Sequence, residues 1–372
     1  MAKIVVVGGF AESLINFRGD LLVAMVQAGH EVIACAPDAS PDNIAALAQR
    51  GVAYQSLPLA RTGLNPLLDL RTCWCLFRFF RAYKPDVVFS YTIKPVIYAS
   101  FAAKMAHINS IFSMITGLGY SFAAPGWKGL GVKCVVSVLY ALALSVNKKV
   151  FFQNPDDAAF FVSRHLLAKA NKAVLVNGSG IDTAKFNSCS LPESSRFLLI
   201  ARLIKDKGIY DYVDAAAMLK KKYPFVRFDL VGWLDENPAC VRKADLDQWI
   251  ASGVIHYWGK LADVRPAIAS CSVYVLPSYY PEGTPRTILE AMAMGRAIIT
   301  TDTPGCRETV VEGENGYRVP IKNSEKLAEV MERFILQPAL ATTMGARSRA
   351  IAVEKYDVHK VNKVLMTQME LL

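Results

Sequence analysis

Val273-Tyr274-Val275-Leu276-Pro277-Ser278-Tyr279-Tyr280-Pro281-Glu282-Gly283-Thr284-Pro285-Arg286-Thr287-Ile288-Leu289-Glu290 runs from a short apolar stretch, through a loop punctuated by Pro and Gly, into a helical pattern. A buried strand feeding a helix through such a loop is the repeating unit of a doubly wound parallel sheet. The loop and the helix each carry a carboxylate, Glu282 and Glu290. A second junction of this kind follows the apolar run 197–200, where Ala201-Arg202-Leu203-Ile204-Lys205-Asp206-Lys207-Gly208 brings two cations to a strand end. Cations neutralise a diphosphate and carboxylates accept hydrogen bonds from sugar hydroxyls, so a chain carrying both at strand ends suits a nucleotide-sugar.

The same alternation extends in both directions. Strands are expected at 3–7, 31–35, 54–57, 87–90 and 111–114, with helices at 17–28, 41–50 and 95–106. A Ser-rich segment, 187–195, then precedes a second series: strands at 197–200, 227–231, 255–258, 273–276 and 297–300, and helices at 208–221, 239–251 and 285–294. This pattern predicts an α/β protein with a first Rossmann-like domain at 1–186, a linker at 187–195 and a second Rossmann-like domain at 196–354. In 355–372 the residues Val358, Val361, Val364, Leu365, Met369 and Leu372 share one helical face, which packs on its own domain or crosses back to the first. Two such domains facing each other would enclose a ligand cleft between their carboxyl-end loops.

Bulk composition fits two well-packed domains: 372 residues, 53% hydrophobic and 20% charged. The net charge of +10 is uneven, since residues 1–186 hold 18 Lys/Arg against 10 Asp/Glu. A basic first half implies an anionic partner, whether lipid surface or phosphorylated substrate. Nucleic acid is not expected, because no basic stretch carries an aromatic stacking signature or a zinc-finger spacing. The eight cysteines form no spaced framework, and Cys73-x-Cys75 lacks a second pair for zinc, so reduced thiols in a cytosolic protein are expected. The run 4–10 follows a single Lys and is closed by Glu12, which reads as a first strand rather than a secretory signal.

Gly8-Gly9 closes that first strand and either admits a phosphate or makes a tight turn. Gly8, Phe10 and Ser13 fill the places where a dinucleotide-binding loop needs three glycines, which argues against a nicotinamide cofactor. Gly283, Thr284 and Pro285 shape a loop that opens backbone N–H groups at a helix start. Paired carboxylates also occur in glycoside hydrolysis, but a hydrolase has no use for Arg202 and Lys207. Asp245-Leu246-Asp247 resembles a metal-binding Asp-x-Asp, yet it falls in an expected helix where alternate residues diverge, and the five histidines lack ligand spacing. No metal and no cofactor are therefore expected. Lys94, in Tyr91-Thr92-Ile93-Lys94-Pro95, and Thr116 and Gly117, in Thr116-Gly117-Leu118-Gly119-Tyr120, belong to strand-end loops. Lys94 is either a partner for an acceptor phosphate or a solvated loop lysine. The stretch 67–83 mixes Trp74, Phe77, Phe79 and Phe80 with Arg71, Arg78 and Arg81, a composition that suits a membrane interface and equally a helix packed on the sheet. The apolar run 134–146 is too short to span a bilayer and reads as a core helix.

Taken together, Gly8-Gly9, Gly180-Ile181-Asp182 with Phe186, Arg202 with Lys207-Gly208, Gly232, Gly259, Pro277-Ser278 and the Glu282/Glu290 pair resemble the retaining glycosyltransferases of family 4, whose fold is GT-B. The loops at Tyr91-Thr92-Ile93-Lys94-Pro95, Thr116-Gly117-Leu118-Gly119-Tyr120 and Asp235-Glu236-Asn237-Pro238 are similar to those of bacterial enzymes that extend undecaprenyl-diphosphate-linked sugars, N-acetylgalactosaminyltransferases above all. The resemblance implies a hexosyltransferase that is retaining and metal-independent, whose first domain binds the acceptor and whose second binds the nucleotide-sugar. Donor contacts would come from Gly8, Gly9, Arg202, Lys207, Glu282, Gly283, Thr284, Pro285 and Glu290. Within that set Arg202 and Lys207 would hold the diphosphate, Glu290 the ribose and Glu282 the donor sugar. Acceptor contacts would come from Lys94, Thr116 and Gly117. Many family members carry a histidine after the fourth strand, but this chain has Tyr91-Thr92-Ile93-Lys94 there, so no catalytic histidine is assigned. The implied partners are a UDP-sugar, a polyprenyl-diphosphate-linked sugar and an anionic membrane surface, with the protein peripheral on the inner face of the cytoplasmic membrane during surface-glycan assembly. The rival readings are a nucleotide-sugar epimerase or hydrolase on the same fold, and a non-catalytic membrane-surface protein.

Overall fold

Strands β1 (Lys3–Val7), β2 (Glu31–Ala36), β3 (Ala53–Ser56), β4 (Val87–Tyr91), β5 (Ser110–Ile115), β6 (Lys149–Phe152) and β7 (Ala173–Leu175) form a parallel sheet in the order β3-β2-β1-β4-β5-β6-β7. A second parallel sheet has the order β10-β9-β8-β11-β12-β13, from β8 (Arg196–Ile200), β9 (Arg227–Val231), β10 (His256–Gly259), β11 (Val273–Leu276), β12 (Ala297–Thr301) and β13 (Gly316–Val319). The computed structural model describes residues 1–60, 65–119, 126–234 and 239–372, the side chains of 126–130 excepted. Tyr120 and Asp235-Glu236-Asn237-Pro238, singled out above, lie outside the described residues. The chain divides into one unit of Met1–Ser179 with Val358–Leu372 and another of Gly180–Asp357.

The central strands β1, β4 and β5 are buried on both faces because helices cover both. Ile4 and Val6 of β1 point into a core with Leu14 of α1 (Ala11–Asn16), Leu22 and Met25 of α2 (Gly19–Gln27) and Leu47 of α3 (Pro41–Ala48). Val5 and Val7 point the other way, onto Leu76 and Phe80 of α4 (Pro66–Tyr83) and Ala99 and Ala102 of α5 (Ile93–Met105). Beside them, Tyr140 and Leu144 of α6 (Gly126–Ser145) and Phe161 of α7 (Pro155–Ser163) pack with Val150 and Phe152. Asn65 starts α4 by accepting from the Leu67 and Leu68 N–H groups, with Pro66 in the first turn, where its missing N–H costs nothing.

The second unit has one core, built from its strands and from α8 (Ile209–Lys222), α9 (Lys243–Ala251), α10 (Arg265–Ala269), α11 (Arg286–Ala293), α12 (Ser324–Leu336) and α13 (Ala339–Lys355). Residues 187–195 are tied to this core through Arg296. Its buried guanidinium donates to the carbonyls of Cys189, Ser190, Ile268 and Ala269, which satisfies a charge that would otherwise be costly to bury.

The expected fold class and most expected strands are present. Several elements differ. The helix expected at 17–28 runs over Gly19–Gln27, and the short helix α1 before it was not expected. The helix expected from 239 starts at Lys243, because Cys240 pairs with Ile204 in an isolated antiparallel bridge. Strands β6, β7 and β13 have no counterpart in the sequence reading, being short and lacking alternation. The last helix (Val358–Gln368) lays Val361, Leu365 and Met366 into the first unit's core beside Leu22 and Met25. Leu365 is fully buried there, so Leu365→Ala is expected to cost about 2–5 kcal/mol of stability, read as a lower urea midpoint.

Candidate active site

In both sheets the strand order reverses beside the strand that comes first in the chain, between β1 and β4 and between β8 and β11. Loops leaving the carboxyl ends of strands at such a reversal diverge and leave room for a ligand. The cations and carboxylates picked out in the sequence sit at the reversal of the second sheet.

There the loop after β8 and the loop after β11 are stitched together. The Asp206 carbonyl accepts from the N–H groups of both Tyr279 and Tyr280, at 2.8 and 2.9 Å. Gly208 has φ +72°, and a Cβ there would collide with the Pro277 carbonyl, so the crossing requires glycine. The stitch brings Lys207 Nζ to 2.5 Å from Glu282 Oε2, with both side chains nearly buried (12% and 14% exposed). Ser278 donates its hydroxyl to Glu282 Oε1 at 2.8 Å, fixing the carboxylate from the other side. Tyr280 gathers the cations: Lys207 Nζ lies 5.3 Å from its ring centroid, and Arg202 reaches its hydroxyl. Burial pushes the Tyr280 phenol up, and the Arg202 guanidinium opposes that shift.

Gly283, Thr284 and Pro285 are buried and lead into α11. Gly305, at φ +83°, backs the Gly283 carbonyl so closely that a side chain there would displace the loop, and Thr303 donates to the Ser278 carbonyl at 3.2 Å. Glu290, one turn into α11, is buried and accepts from Arg286 Nε at 3.1 Å. Burial pushes its carboxyl above the usual range, while Arg286 and then Lys185 pull it back.

The remaining candidates lie in the first unit. Gly8 and Gly9 follow β1 and fit against the strained end of β4, since a Cβ on Gly8 would strike the Tyr91 phenol and one on Gly9 would come within 2.8 Å of Thr92 Oγ1. Thr92 itself has φ +70° and ψ 159°, a conformation that costs a non-glycine residue about 1–3 kcal/mol. Lys94, in the first turn of α5, is no solvated lysine: its Nζ is 2.9 Å from Asp69 Oδ1 of α4, with both side chains largely covered. Thr116 and Gly117 follow β5, half-buried, so the carboxyl ends of the adjacent strands β1, β4 and β5 carry all five of these residues. Asp245 accepts from Arg242 and Tyr210, and Asp247 pairs with Lys243. Among the described residues no group of His, Cys, Asp and Glu is placed to hold a metal ion. Depressions of about 450 Å³ beside Arg81 and His107 and about 360 Å³ beside Arg227 and His256 open at the opposite, amino ends of the strands.

Tyr280 and Arg286 were not singled out from the sequence, and Ser278 and Thr92 entered only within motifs, with no role assigned. Arg286 carried a signal, being an arginine four residues before a glutamate on a helix. The roles of Ser278 and Tyr280 depend on the stitch, which no local pattern reveals.

A family model described as "Glycosyl transferases group 1" matches residues 194–337, and one described as "Glycosyl transferase 4-like domain" matches residues 17–178. The chain is 30% identical over 360 residues to the N,N'-diacetylbacillosaminyl-diphospho-undecaprenol alpha-1,3-N-acetylgalactosaminyltransferase of Campylobacter jejuni, covering 93% of this chain and 92% of that one. Among solved structures, a glycosyltransferase of Rickettsia africae superposes with a TM-score of 0.78 at 19% identity, covering 100% of this chain and 98% of that one. Anabaena HepE in complex with UDP and glucose superposes with a TM-score of 0.78 at 18% identity, covering both chains in full. The two units are thus the Rossmann-like halves of the GT-B fold, and the chain belongs to the family 4 glycosyltransferases.

Replacing Gly208 by Ala forces a side chain into the left-handed region and against the Pro277 carbonyl. A loss of more than about 1 kcal/mol is expected from urea denaturation, together with loss of transferase activity as the two loops part.

Proposed function

We propose that this glycosyltransferase moves an N-acetylhexosamine, N-acetylgalactosamine being the best candidate, from a UDP-sugar to a polyprenyl-diphosphate-linked sugar, with retention and without a metal ion. The observation that carries the reading is the stitched pair of loops that sets Arg202, Lys207 and Glu282 around one point at the reversal of the second sheet. The Campylobacter relative's lipid-linked acceptor and the UDP in HepE support the two substrates.

In this reading the anomeric carbon's bond to the diphosphate breaks as its bond to the acceptor oxygen forms on the same face, and the acceptor hydroxyl's proton passes to the departing diphosphate. Arg202 and Lys207 carry the charge that develops there, each hydrogen bond to it contributing about 1.5–3 kcal/mol. Lys207 is already paired with Glu282, so the diphosphate and the carboxylate share one cation, and the donor sugar's hydroxyls take up the remaining lone pairs of Glu282. In the first unit, Lys94, Thr116, Gly117 and the Gly8-Gly9 turn are assigned to substrate contacts.

The acceptor's polyprenyl tail stays in the bilayer, since each buried CH₂ contributes about 0.8 kcal/mol, so the enzyme must work at a membrane surface. Helix α4 suits that surface. Leu67, Leu70 and Trp74 stand exposed beside exposed Arg71, Arg78 and Arg81, while Thr72, Leu76 and Phe80 face the core. Helix α5 packs between α4 and α6, and α6 leaves Val135, Val138 and Leu142 exposed. Among the described residues no helix is long and apolar enough to cross a membrane. The anionic inner face of the cytoplasmic membrane is the assigned location.

Two experiments test these assignments. With a panel of UDP-sugars, transfer to a polyprenyl-diphosphate-sugar acceptor is expected to persist in excess EDTA and to give an axial product from an axial donor. Sugar release or epimerisation without acceptor would instead favour the hydrolase or epimerase reading, and metal-restored turnover would overturn metal independence. In flotation, the protein is expected to rise with anionic vesicles at low salt, and joint neutralisation of Arg71, Arg78 and Arg81 is expected to release it, each cation contributing about 1 kcal/mol. Binding that survives that neutralisation rejects α4 as the membrane face.

A further inference from the structure

The two oxygens of Glu290 are in different states. Oε1 accepts from Arg286 Nε at 3.1 Å, and both side chains are largely covered, at 11% and 18% exposed. Oε2 accepts no hydrogen bond among the described residues, and the Glu290 side chain keeps 11% of its surface exposed. A glutamate on a helix has three side-chain torsions, and an unrestrained one would present its carboxylate in many directions. Here the first turn of α11 supplies a planar donor four residues earlier on the same face, which removes that freedom.

We infer that Arg286 is a positioning residue for nucleotide binding: by holding Oε1 it fixes Oε2 as a ready acceptor for a pair of vicinal hydroxyls. The inference rests on the reading of Glu290 as the ribose partner. An ionised Oε2 accepts charge-assisted hydrogen bonds from both hydroxyls of a ribose, and a protonated carboxyl offers only weaker, neutral ones. Four charged or titratable groups face this carboxylate. Arg286 on α11 and Lys185, in the segment after Asp182, favour the anion; Asp263, ahead of α10, and Tyr274 on β11 are on the opposing side. Tyr274 is engaged elsewhere, donating to Thr287 Oγ1 at 2.7 Å. Burial raises the carboxyl, and Arg286 is the largest influence against it. Loss of Arg286 therefore moves protonation of Glu290 to higher pH, and the ribose contact fails as pH falls.

The test is calorimetric titration with UDP, between about pH 5.5 and about pH 8, of the parent, Arg286→Met, Arg286→Lys and Glu290→Gln. Affinities are taken relative to the parent at each pH, which cancels the titration of UDP itself. Arg286→Met is expected to bind about tenfold more weakly at the high end, with the deficit widening as pH falls. Arg286→Lys is expected to recover part of the affinity and the flat profile, because it restores the charge though not the planar donor. Glu290→Gln is expected to be weak at every pH. Parent-like affinity and profile in Arg286→Met, with Glu290→Gln weakened, overturn the inference and leave the ribose reading standing. A pH-independent deficit shared by Arg286→Met and Arg286→Lys shows only a disrupted loop and also overturns it. Parent-like binding by Glu290→Gln overturns the ribose reading itself, and the inference with it.

Discussion

A single carbonyl organises the second unit's site. Asp206 accepts from two consecutive amides, those of Tyr279 and Tyr280, and so welds a loop that ends in cations to a loop that carries a carboxylate. Parallel strands on either side of a sheet reversal send their loops apart, and without a cross-link Lys207 and Glu282 would have no reason to meet. Each backbone hydrogen bond contributes only about 0.5–1.5 kcal/mol net. Here two of them act on one acceptor, and Gly208 removes the side chain that would prevent the approach. The ion pair, the Ser278 contact and the Tyr280 platform all depend on that close crossing.

The first unit solves the same geometric problem with the same tool. At its reversal, glycines at the end of β1 abut Tyr91 and Thr92 at the end of β4, as Gly208 after β8 abuts Pro277 after β11. The difference is chemical. Behind the first crossing lie a hydroxyl pair, Ser13 and Tyr91 at 2.7 Å, and a threonine held in a glycine-like conformation. Behind the second lie fixed charges. The first edge is strained and built on hydroxyls, with the Arg18 guanidinium 5.1 Å over the Tyr91 ring, whereas the second is cross-linked and carries the Lys207–Glu282 pair.

The alternation of apolar runs and amphipathic stretches made the fold class legible, because strands buried on both faces read as continuous Val, Ile and Leu. It failed where that contrast is absent. Strand β6 follows an apolar helix with only Val146, Asn147 and Lys148 between them, β7 is three residues long, and β13 carries few apolar residues. Strand-end cations and carboxylates could be picked out because Lys207 and Glu282 adjoin Gly or Pro, and Arg202 and Glu290 lie in the same strand-to-helix junctions. Their partners could not. The pairing of Lys94 with Asp69 joins residues from different helices, and the role of Ser278 exists only once Glu282 has folded back over it. In the stretch 67–83 the structure shows one stripe packed on the sheet and the arginine stripe exposed, a division that composition alone does not reveal.

The ion pair between Lys207 and Glu282 has a consequence for how a ligand enters. Both groups are largely covered, so each depends on the other to offset lost hydration, and neither can be removed from the pair cheaply. An arriving diphosphate brings two or more negative charges to a place where one carboxylate already claims a cation. Arg202, which engages the Tyr280 hydroxyl, is on the proposed assignment the second cation for that diphosphate. On the proposed assignment, Lys207 turning toward the phosphate leaves Glu282 held by Ser278, with hydroxyls of the donor sugar replacing the lysine. On that reading the pairing favours the complete nucleotide-sugar over its nucleotide product, using only one lysine, one glutamate and the backbone that holds them together.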